Sequence, residues 1–359
     1  MTKTPVAILG ATGMVGQRFV TLLANHPWFE VVAVAASAQS AGKTYQAAVG
    51  ERWCMDEPMP EAIAQLTVLD VVANRAQIVQ QARAVFSALN MDADEIISIE
   101  EDYATAGAIV VSNNSAHRWT EDVPMIIPEV NADHLSMIAE QRRRRGWTAG
   151  AIVVKPNCSI QSYVPALTAL VEFQPQQVIV STYQAVSGAG KTLTTWPEMV
   201  DNVIPFISGE ETKSEREPLK IWANITEQGF VLPQFPVISA NCVRVPVSNG
   251  HMTTVNVRFA NKPSAEQILA AWEKFGNPIA DLQLPSSPKK VLHYFTEDNR
   301  PQTKLDRMLE HGMAVSLGRL RQDTVLDWKF VALSHNTVRG AAGGAVLLGE
   351  LLKAKNFLA

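Results

Sequence analysis

Short apolar runs alternate with amphipathic stretches through the first half of the chain. The first run spans residues 5–9, and a glycine-rich turn and a helical pattern at 10–25 follow it directly. Later apolar runs at 31–35, 84–89 and 108–112 have the length and composition of buried strands. Strands that alternate with helices predict an α/β domain built on a parallel, doubly wound sheet of the Rossmann type.

The second half of the chain mixes strand and helix signals without that regular alternation. Strand patterns lie at 178–186, 243–247, 253–259 and 325–334, and helical patterns lie at 264–275 and at the C-terminus. This mixture predicts an α+β domain with a mixed sheet. The change of character near residue 150 predicts a first domain at 1–150 and a second domain that begins at 151.

A cysteine lies where an apolar run gives way to a helical pattern. Asn157 and Cys158 follow the apolar run at 149–154, and a helical pattern at 159–173 that includes Pro165 comes next. A helix N-terminus presents free N–H groups and the positive end of its dipole. This position predicts a lowered pKa for the Cys158 thiol and a role as a nucleophile. The alternative is an inert, buried thiol.

The glycine-rich turn at 10–16 predicts a dinucleotide site, because it follows the first strand and opens a helix. Its spacing is GxxGxxG rather than GxGxxG, and a plain tight turn is the alternative. The segment after the second predicted strand contains Ser37, Ser40 and Lys43 and no carboxylate. A carboxylate there would hold the ribose of NAD, so its absence favours NADP(H), with a polar surface loop as the alternative. Ser87 lies near the end of the strand pattern at 84–89, where ligands gather in such sheets.

A glutamine and a histidine are candidates for a catalytic role beside the thiol. Gln184 lies next to a glycine loop at 187–190 and could orient a thiol or an acyl oxygen, although the loop also fits a simple turn. His251 follows a Ser-Asn-Gly turn and is an acid–base candidate. A lone histidine is more often structural, but a cysteine nucleophile requires a partner that takes and returns a proton.

Charged candidates lie on a predicted loop and a predicted helix. Arg118 follows the strand pattern at 108–112 and could bind an anion with both guanidinium nitrogens, although a surface position fits equally well. Glu210 and Lys213 are three residues apart and would lie on one helix face. Their alternative interpretation is a surface ion pair of small energetic value.

Composition and charge limit the class of protein. The chain has 359 residues, of which 47% are hydrophobic and 18% charged, and its net charge of −4 gives no case for binding nucleic acid or membranes. The three cysteines are too few and too far apart for a disulfide framework, and we interpret Cys54 and Cys242 as inert. The sequence has no CxxC or HExxH motif, so no metal site is predicted. It has no signal peptide pattern and no run of ~18 apolar residues, so we expect a cytoplasmic protein.

A cysteine nucleophile combined with a nicotinamide cofactor indicates one kind of chemistry. The thiolate takes an acyl group, and hydride is exchanged at the thioester carbon. The overall reaction would interconvert an aldehyde and an activated acid.

Several stretches together resemble the aspartate-semialdehyde dehydrogenase family, most closely its archaeal and fungal branch. They follow the family's order along almost the whole chain, and their combination is more specific than any one motif. The stretches are residues 10–16, 35–43, Pro156-Asn-Cys-Ser159, 209–213, 244–251 and 334–343. The resemblance implies NADPH-dependent reduction of 4-aspartyl phosphate to L-aspartate 4-semialdehyde and phosphate, in lysine, methionine and threonine biosynthesis.

The resemblance also implies roles for individual residues. It implies that Cys158 is the acyl-thioester nucleophile, that His251 is the acid–base residue and that Gln184 orients the intermediate. The implied substrate-binding residues are Arg118, Asn157, Glu210, Lys213 and Arg244. With the candidates above, the predicted cofactor-binding residues are Gly10, Thr12, Gly13, Met14, Val15, Ser37, Ser40, Ser87, Ser187, Gly188 and Asn336.

Two larger features are implied as well. The C-terminal helix at 336–359 would return to the first domain, which leaves 151–335 as the catalytic and dimerisation domain of a homodimer or homotetramer. The chain departs from the branch at Gln39, where an arginine is common, and the stretch at 87–90 matches no family pattern closely. The main rival is a malonyl-CoA reductase of the same fold. N-acetylglutamyl-phosphate reductase and a non-catalytic NADP-binding protein are further alternatives.

Overall fold

Six parallel strands form the first sheet of the structure, a computed structural model that describes residues 2–226 and 229–358. The strands are β1 (Thr4–Leu9), β2 (Phe29–Ala36), β3 (Val68–Asp70), β4 (Ala84–Ser87), β5 (Ile109–Ser112) and β6 (Ala151–Val154). Their spatial order is β3-β2-β1-β4-β5-β6, with every neighbouring pair parallel. This is the strand order of a dinucleotide-binding sheet, in which ligands bind where the order reverses between β1 and β4. The predicted fold class is confirmed.

Helices cover this sheet because its strands are apolar on both faces. Those of the first half are α1 (Met14–Leu23), α2 (Tyr45–Val49), α3 (Glu61–Ala64), α4 (Arg75–Gln81), α5 (Ala93–Thr105), α6 (Pro128–Asn131) and α7 (Met137–Arg145). The turn between β1 and α1 needs glycine. Gly10 has a φ of 77°, and a β-carbon there would lie 2.3 Å from the carbonyl oxygen of Ala88. A β-carbon on Gly16 would lie 2.2 Å from the carbonyl oxygen of Gly10, so this glycine lets α1 approach the turn closely.

The second sheet is mixed, as predicted. Its strands are β7 (Pro175–Gln184), β10 (Val237–Arg244), β11 (His251–Phe259), β12 (Leu292–Phe295), β13 (Val315–Gln322) and β14 (Trp328–Ser334). The strands β8 (Asn224–Thr226) and β9 (Gly229–Val231) form a separate two-stranded sheet. The six-stranded order is β10-β7-β11-β14-β13-β12, with β10–β7 and β13–β12 parallel and the other pairs antiparallel. The strand predicted at 243–247 is wrong. The observed strand ends at Arg244, because Pro246 has no N–H for a ladder hydrogen bond.

One face of the second sheet packs on the core and the other does not. Val178 and Val180 are buried on one face of β7, whereas Ile179 between them is 42% exposed. Val237 on the neighbouring edge strand is 60% exposed. Alternation of this kind is expected for a sheet with one buried face. It leaves apolar side chains on the opposite face.

The helix predicted at 159–173 is wrong. The segment is broken into a 3₁₀ turn at Ser159–Gln161, the short helix α8 (Val164–Thr168) and a second 3₁₀ turn at Val171–Phe173. Pro165 lies in the first turn of α8, because a proline has no N–H to continue a helix that begins earlier. Cys158 therefore precedes a single 3₁₀ turn and not a long helix.

The remaining helices complete the second half and return to the first sheet. They are α9 (Glu210–Ile221), α10 (Ala265–Phe275), α11 (Thr303–Asp306) and α12 (Gly343–Ala354), which follows a π-helical turn at Val338–Ala342. The helix α12 packs on the first sheet, where a β-carbon on Gly349 would lie 2.8 Å from the ring of Phe86. None of the helices within residues 2–226 and 229–358 has the length and hydropathy of a membrane-spanning segment.

Candidate active site

A cavity of about 360 Å³ brings together predicted residues from both halves of the chain. It lies where the turn after β1 and the turn after β6 face the loops of the second sheet. Its lining includes Val15, Asn90, Asn113, Ser115, Arg118, Asn157, Cys158, Ser187, Gly188, Glu210, Lys213, Asn336, Thr337, Gly340 and Ala341. Predicted cofactor residues and predicted substrate residues therefore share one cavity.

Cys158 is half-buried in this lining and is closely backed by a glycine. A β-carbon on Gly340 would lie 2.9 Å from the β-carbon of Cys158 and 3.3 Å from the carbonyl oxygen of His335. Any larger residue at 340 would therefore displace the thiol or the backbone of the π-helical turn. Nothing in the sequence shows that Gly340 lies against the cysteine, so this residue was not predicted to belong to the site.

The prediction of a lowered pKa for the Cys158 thiol is wrong. Burial, and next the negative charge of Glu210, raise the pKa of Cys158 to about 11. Lys155, Arg118 and Arg244 act in the opposite direction and do not outweigh these effects. The single 3₁₀ turn after Cys158 offers little of the dipole that a long helix would supply.

Glu210 is the centre of a polar cluster beside the thiol. Its carboxylate accepts hydrogen bonds from Asn157 Nδ2 at 2.9 and 3.1 Å, from Gln184 Nε2 at 3.1 Å and from Lys213 Nζ at 2.9 Å. Burial acts to raise the pKa of Glu210, but Lys213, Gln184 and Asn157 together hold it below its ordinary value. Glu210 is thus an ionised, buried carboxylate next to the Cys158 thiol and not part of a surface ion pair.

A buried ion pair positions Arg118, and its partner was not predicted. Glu217 Oε1 accepts from Arg118 Nη1 at 2.9 Å, while Glu217 Oε2 accepts from the backbone N–H of Asn157 at 2.6 Å. One carboxylate thus fixes both the arginine and the residue before Cys158. A signal was present in the sequence, because Glu210, Lys213 and Glu217 recur at helical spacing and so lie on one face of α9.

His251 and Arg244 meet at the peptide of Ala185. The N–H of Ala185 donates to His251 Nδ1 at 3.1 Å, and Arg244 Nη1 donates to the Ala185 carbonyl oxygen at 2.7 Å. A neutral ring that accepts at Nδ1 carries its proton on Nε2. That Nε2 has no hydrogen-bond partner among the described residues, and it lies 3.1 Å from the β-carbon position of Gly188. Burial, Arg244 and His335 hold the pKa of His251 well below its usual value, so the ring is neutral at pH 7.

The turn before α1 has the properties of a pyrophosphate site. Gly13 precedes α1 and has no side chain to cap it, so the first N–H groups of the helix are left for a ligand. Met14 and Val15 provide such groups. Across the cleft, Asn336 Nδ2 donates to Ser187 Oγ at 2.8 Å and Asn336 Oδ1 accepts from the N–H of Gly250, which fixes the opposite wall. The residues present fit a dinucleotide.

Three other predicted cofactor residues differ in accessibility. Ser37 directly follows β2 and is exposed, and Ser40 is half-buried beside it. Ser87 is fully buried, and its hydroxyl accepts from Asn114 Nδ2 at 3.0 Å. The Ser87 side chain is therefore engaged in the interior. Lys43, proposed with the two serines for a 2′-phosphate, is exposed and donates to the carbonyl oxygen of Gln39.

The comparisons with known proteins agree with this architecture. Residues 5–138 match the family model "Semialdehyde dehydrogenase, NAD binding domain", and residues 167–339 match "Semialdehyde dehydrogenase, dimerisation domain". The two models together cover most of the chain, and they place the cofactor domain first and the domain of the mixed sheet second. The second match indicates a homo-oligomer. In the described residues, no group of three or more His, Cys, Asp or Glu side chains could hold a metal ion.

Full-length relatives give a finer identification. The chain is 42% identical to the aspartate-semialdehyde dehydrogenase of Archaeoglobus fulgidus over 97% of both chains, and 39% identical to that of Saccharomyces cerevisiae over 99% of both. The crystal structure of the Candida albicans enzyme with NADP superposes with a TM-score of 0.88 at 38% identity, covering 99% of this chain and 100% of that one. The chain belongs to the aspartate-semialdehyde dehydrogenase family.

Proposed function

We propose that the protein is an aspartate-semialdehyde dehydrogenase that forms L-aspartate 4-semialdehyde and phosphate from 4-aspartyl phosphate. The observation that carries the proposal is the cluster at Cys158, where Glu210, Lys213 and Arg118 surround a thiol beside the cofactor turn. Support also comes from relatives with this name, and from a structure of the Vibrio cholerae enzyme II complexed with ASA, which is 25% identical with a TM-score of 0.73. In cells the reaction would serve lysine, methionine and threonine biosynthesis.

The site contains a counter-charge for each charged group of this substrate. Glu210 is an ionised carboxylate suited to the substrate ammonium group. Arg244 has a backbone carbonyl and no carboxylate as its partner among the described residues, so its charge is available to the substrate carboxylate. Arg118, Asn157 and Lys213 lie on the same cavity and would hold the phosphate group.

The thiol of Cys158 would take the acyl group and release phosphate, which gives a thioester. Gln184, hydrogen-bonded to Glu210, would orient the acyl oxygen. His251 would serve as the acid–base residue through Nε2, which is the ring nitrogen left free by the Ala185 N–H. Collapse of the tetrahedral species restores the Cys158 thiolate and releases the aldehyde. These roles follow from position relative to the thiol.

We propose NADP(H) as the cofactor, which supplies hydride to the thioester carbon when bound. Gly10, Thr12, Gly13, Met14 and Val15 would hold its pyrophosphate at the N-terminus of α1. Ser37 and Ser40 would face the 2′-phosphate, and Ser187, Gly188 and Asn336 would form the wall at the nicotinamide end. Ser87, with its hydroxyl engaged in the interior, would act through its backbone.

Domain division, assembly and location are also proposals. Because Ala151–Val154 pairs with β5, we place the domain boundary after Val154 rather than at 150, with 336–359 returning to the first domain. The uncovered apolar face of the second sheet supports pairing of subunits as a homodimer or homotetramer. The three free cysteines are consistent with the reducing cytoplasm.

One pair of assays tests the function. The purified protein should reduce NADP+ with aspartate semialdehyde only when phosphate is present, and it should not oxidise NADPH with malonyl-CoA. Oxidation of NADPH that requires malonyl-CoA, without the phosphate-dependent reaction, would assign the chain to the rival acyl-CoA reductase.

A further inference from the structure

Lys155 is a buried amine that none of the roles above employs. It follows β6 directly and lies three residues before Cys158, with only 2% of its surface exposed. Its Nζ donates to the carbonyl oxygen of Pro156 at 2.7 Å. An ammonium group buried in this way is costly unless an anion compensates it.

The other buried charges around Lys155 already compensate one another. Arg118, from the loop after β5, pairs with Glu217 of α9 at 2.9 Å. Arg339, from the π-helical turn, pairs with Glu129 of α6 at 2.8 Å. Among the described residues no carboxylate lies within ion-pair distance of Lys155 Nζ. A charged Lys155 would therefore leave one positive charge in excess.

The Cys158 thiol is the titratable group that could balance this charge. The two side chains pack against glycines four residues apart in the C-terminal segment: a β-carbon at Gly344 would lie 3.0 Å from Lys155 Cε, and one at Gly340 would lie 2.9 Å from Cys158 Cβ. At this proximity the thiolate and the ammonium each favour the charged form of the other. Glu210 and Arg244 also face the thiol, with opposite effects on its ionisation.

The pKa of Lys155 allows this residue to gain a proton when the Cys158 thiolate forms. Burial, and next the charge of Arg118, lower the pKa of Lys155 to about 7, so its protonation can change near neutral pH. A permanently charged residue would keep the unbalanced charge at all times. A lysine with a pKa in this range gains its proton when an anion forms beside it.

We infer that Lys155 is a positioning residue that carries the compensating positive charge whenever Cys158 is a thiolate. The thiol loses its proton as the amine gains one, so the buried cluster keeps its net charge. When the thiolate attacks the acyl phosphate and becomes a neutral thioester, the C–O bond to phosphate breaks, and the proton that Lys155 gives up balances the additional negative charge on the departing phosphate. The inference rests on the proposed function only in taking Cys158 as the nucleophile.

The pH dependence of Cys158 alkylation tests the inference without any substrate. The full-length protein and its variants are treated with iodoacetamide between pH 6 and 11, and the Cys158 peptide is quantified by mass spectrometry. Lys155→Met should move the profile upward by about one pH unit, a tenfold lower reactivity at fixed pH. Lys155→Arg, which is always charged, should move it downward. Lys220→Met is the matched control, because Lys220 is also buried but bonds to the carbonyl oxygens of Arg118 and Thr120.

The outcomes separate an electrostatic from a structural role. Opposite shifts in Lys155→Met and Lys155→Arg, with the Lys220→Met profile unchanged, support the inference. Equal shifts in both Lys155 variants, or none, overturn it, because a residue needed only for packing would not distinguish them. If Lys155→Met does not fold, Lys155→Gln keeps a donor for Pro156 and should give the same upward shift. Loss of the proposed function would instead appear as an absent aldehyde reaction with an unaltered wild-type alkylation profile.

Discussion

The backbone N–H of Asn157 donates to Glu217 Oε2 over 2.6 Å, which ties the residue before Cys158 to α9. The same carboxylate holds Arg118 in a buried ion pair. The position of the turn that contains Cys158 and the position of Arg118 therefore depend on one side chain. Glu210 and Lys213 extend from the same helix into the same cavity.

Glu217→Gln should lower the free energy of unfolding by about 3 kcal/mol, because Arg118 remains buried without its counter-ion. The amide oxygen can still accept from Asn157, so the chain should fold. Denaturant titration measures the change. Glu140→Gln is the control, because its partners Arg143 and Arg144 are exposed residues and ion pairs at the surface contribute little to stability. Equal losses in the two variants would contradict the special position of Glu217.

Gly340→Ala should reduce kcat by about 100-fold, because the new β-carbon would lie 2.9 Å from that of Cys158 and displace the thiol. Binding of NADP+, measured by fluorescence titration, should change little. Gly349→Ala, nine residues further along the chain, introduces a similar clash with the ring of Phe86. That variant should lose thermal stability but retain kcat, and a Gly340→Ala enzyme with normal kcat would be evidence against the close packing of the thiol.

His335→Gln should make stability less sensitive to acid. Burial, and next the charges of Arg18 and Arg307, lower the pKa of His335 to about 3. Between pH 6.5 and 3 the unfolded chain binds a proton that the folded chain does not, so this residue costs stability as pH falls through that window. The variant should be less stable at pH 7, because His335 Nδ1 accepts from Val338 N–H at 3.3 Å. This deficit should shrink by about 3 kcal/mol at pH 4 in urea titrations, and a constant deficit would contradict the assignment.

Ser37→Asp should shift cofactor use from NADP+ to NAD+. Ser37 is exposed at the end of β2, where a carboxylate repels a 2′-phosphate and binds a ribose hydroxyl. The KM for NADP+ should rise at least ~10-fold while that for NAD+ rises little or falls. Ser37→Asn is the neutral control. Equal changes for both cofactors would place the 2′-phosphate elsewhere.

Local stereochemistry explains what the sequence predicted well. The turn at Gly10 and Gly16 was predictable because the positive φ of Gly10 and the close backbone approach at Gly16 both require glycine. The strands of the first sheet were predictable because they are apolar on both faces. Proline also marks the ends of helices and strands. Pro165 could have corrected the helix predicted at 159–173, and Pro246 could have corrected the strand predicted at 243–247.

Tertiary packing explains what the sequence could not predict. The helical spacing of Glu217 with Glu210 and Lys213 predicts that they share one face of α9, but only the packing of the helix shows that this face is buried. The pKa of Cys158 depends on Glu210, which the fold brings next to it from a distant part of the chain. The burial of Ser87 and Lys155 likewise depends on how α5 and α12 cover the strand ends.

The most direct test of the central claim is to determine which residue carries the acyl group, which we expect to be Cys158. The protein should be mixed with aspartate semialdehyde and NADP+ without phosphate, quenched in acid and analysed by peptide mass spectrometry. We expect an acyl adduct on the Cys158 peptide that disappears when phosphate is added. Cys158→Ala should lack the adduct and all turnover while still binding NADP+. An adduct on another residue, or substantial turnover by Cys158→Ala, would contradict the account.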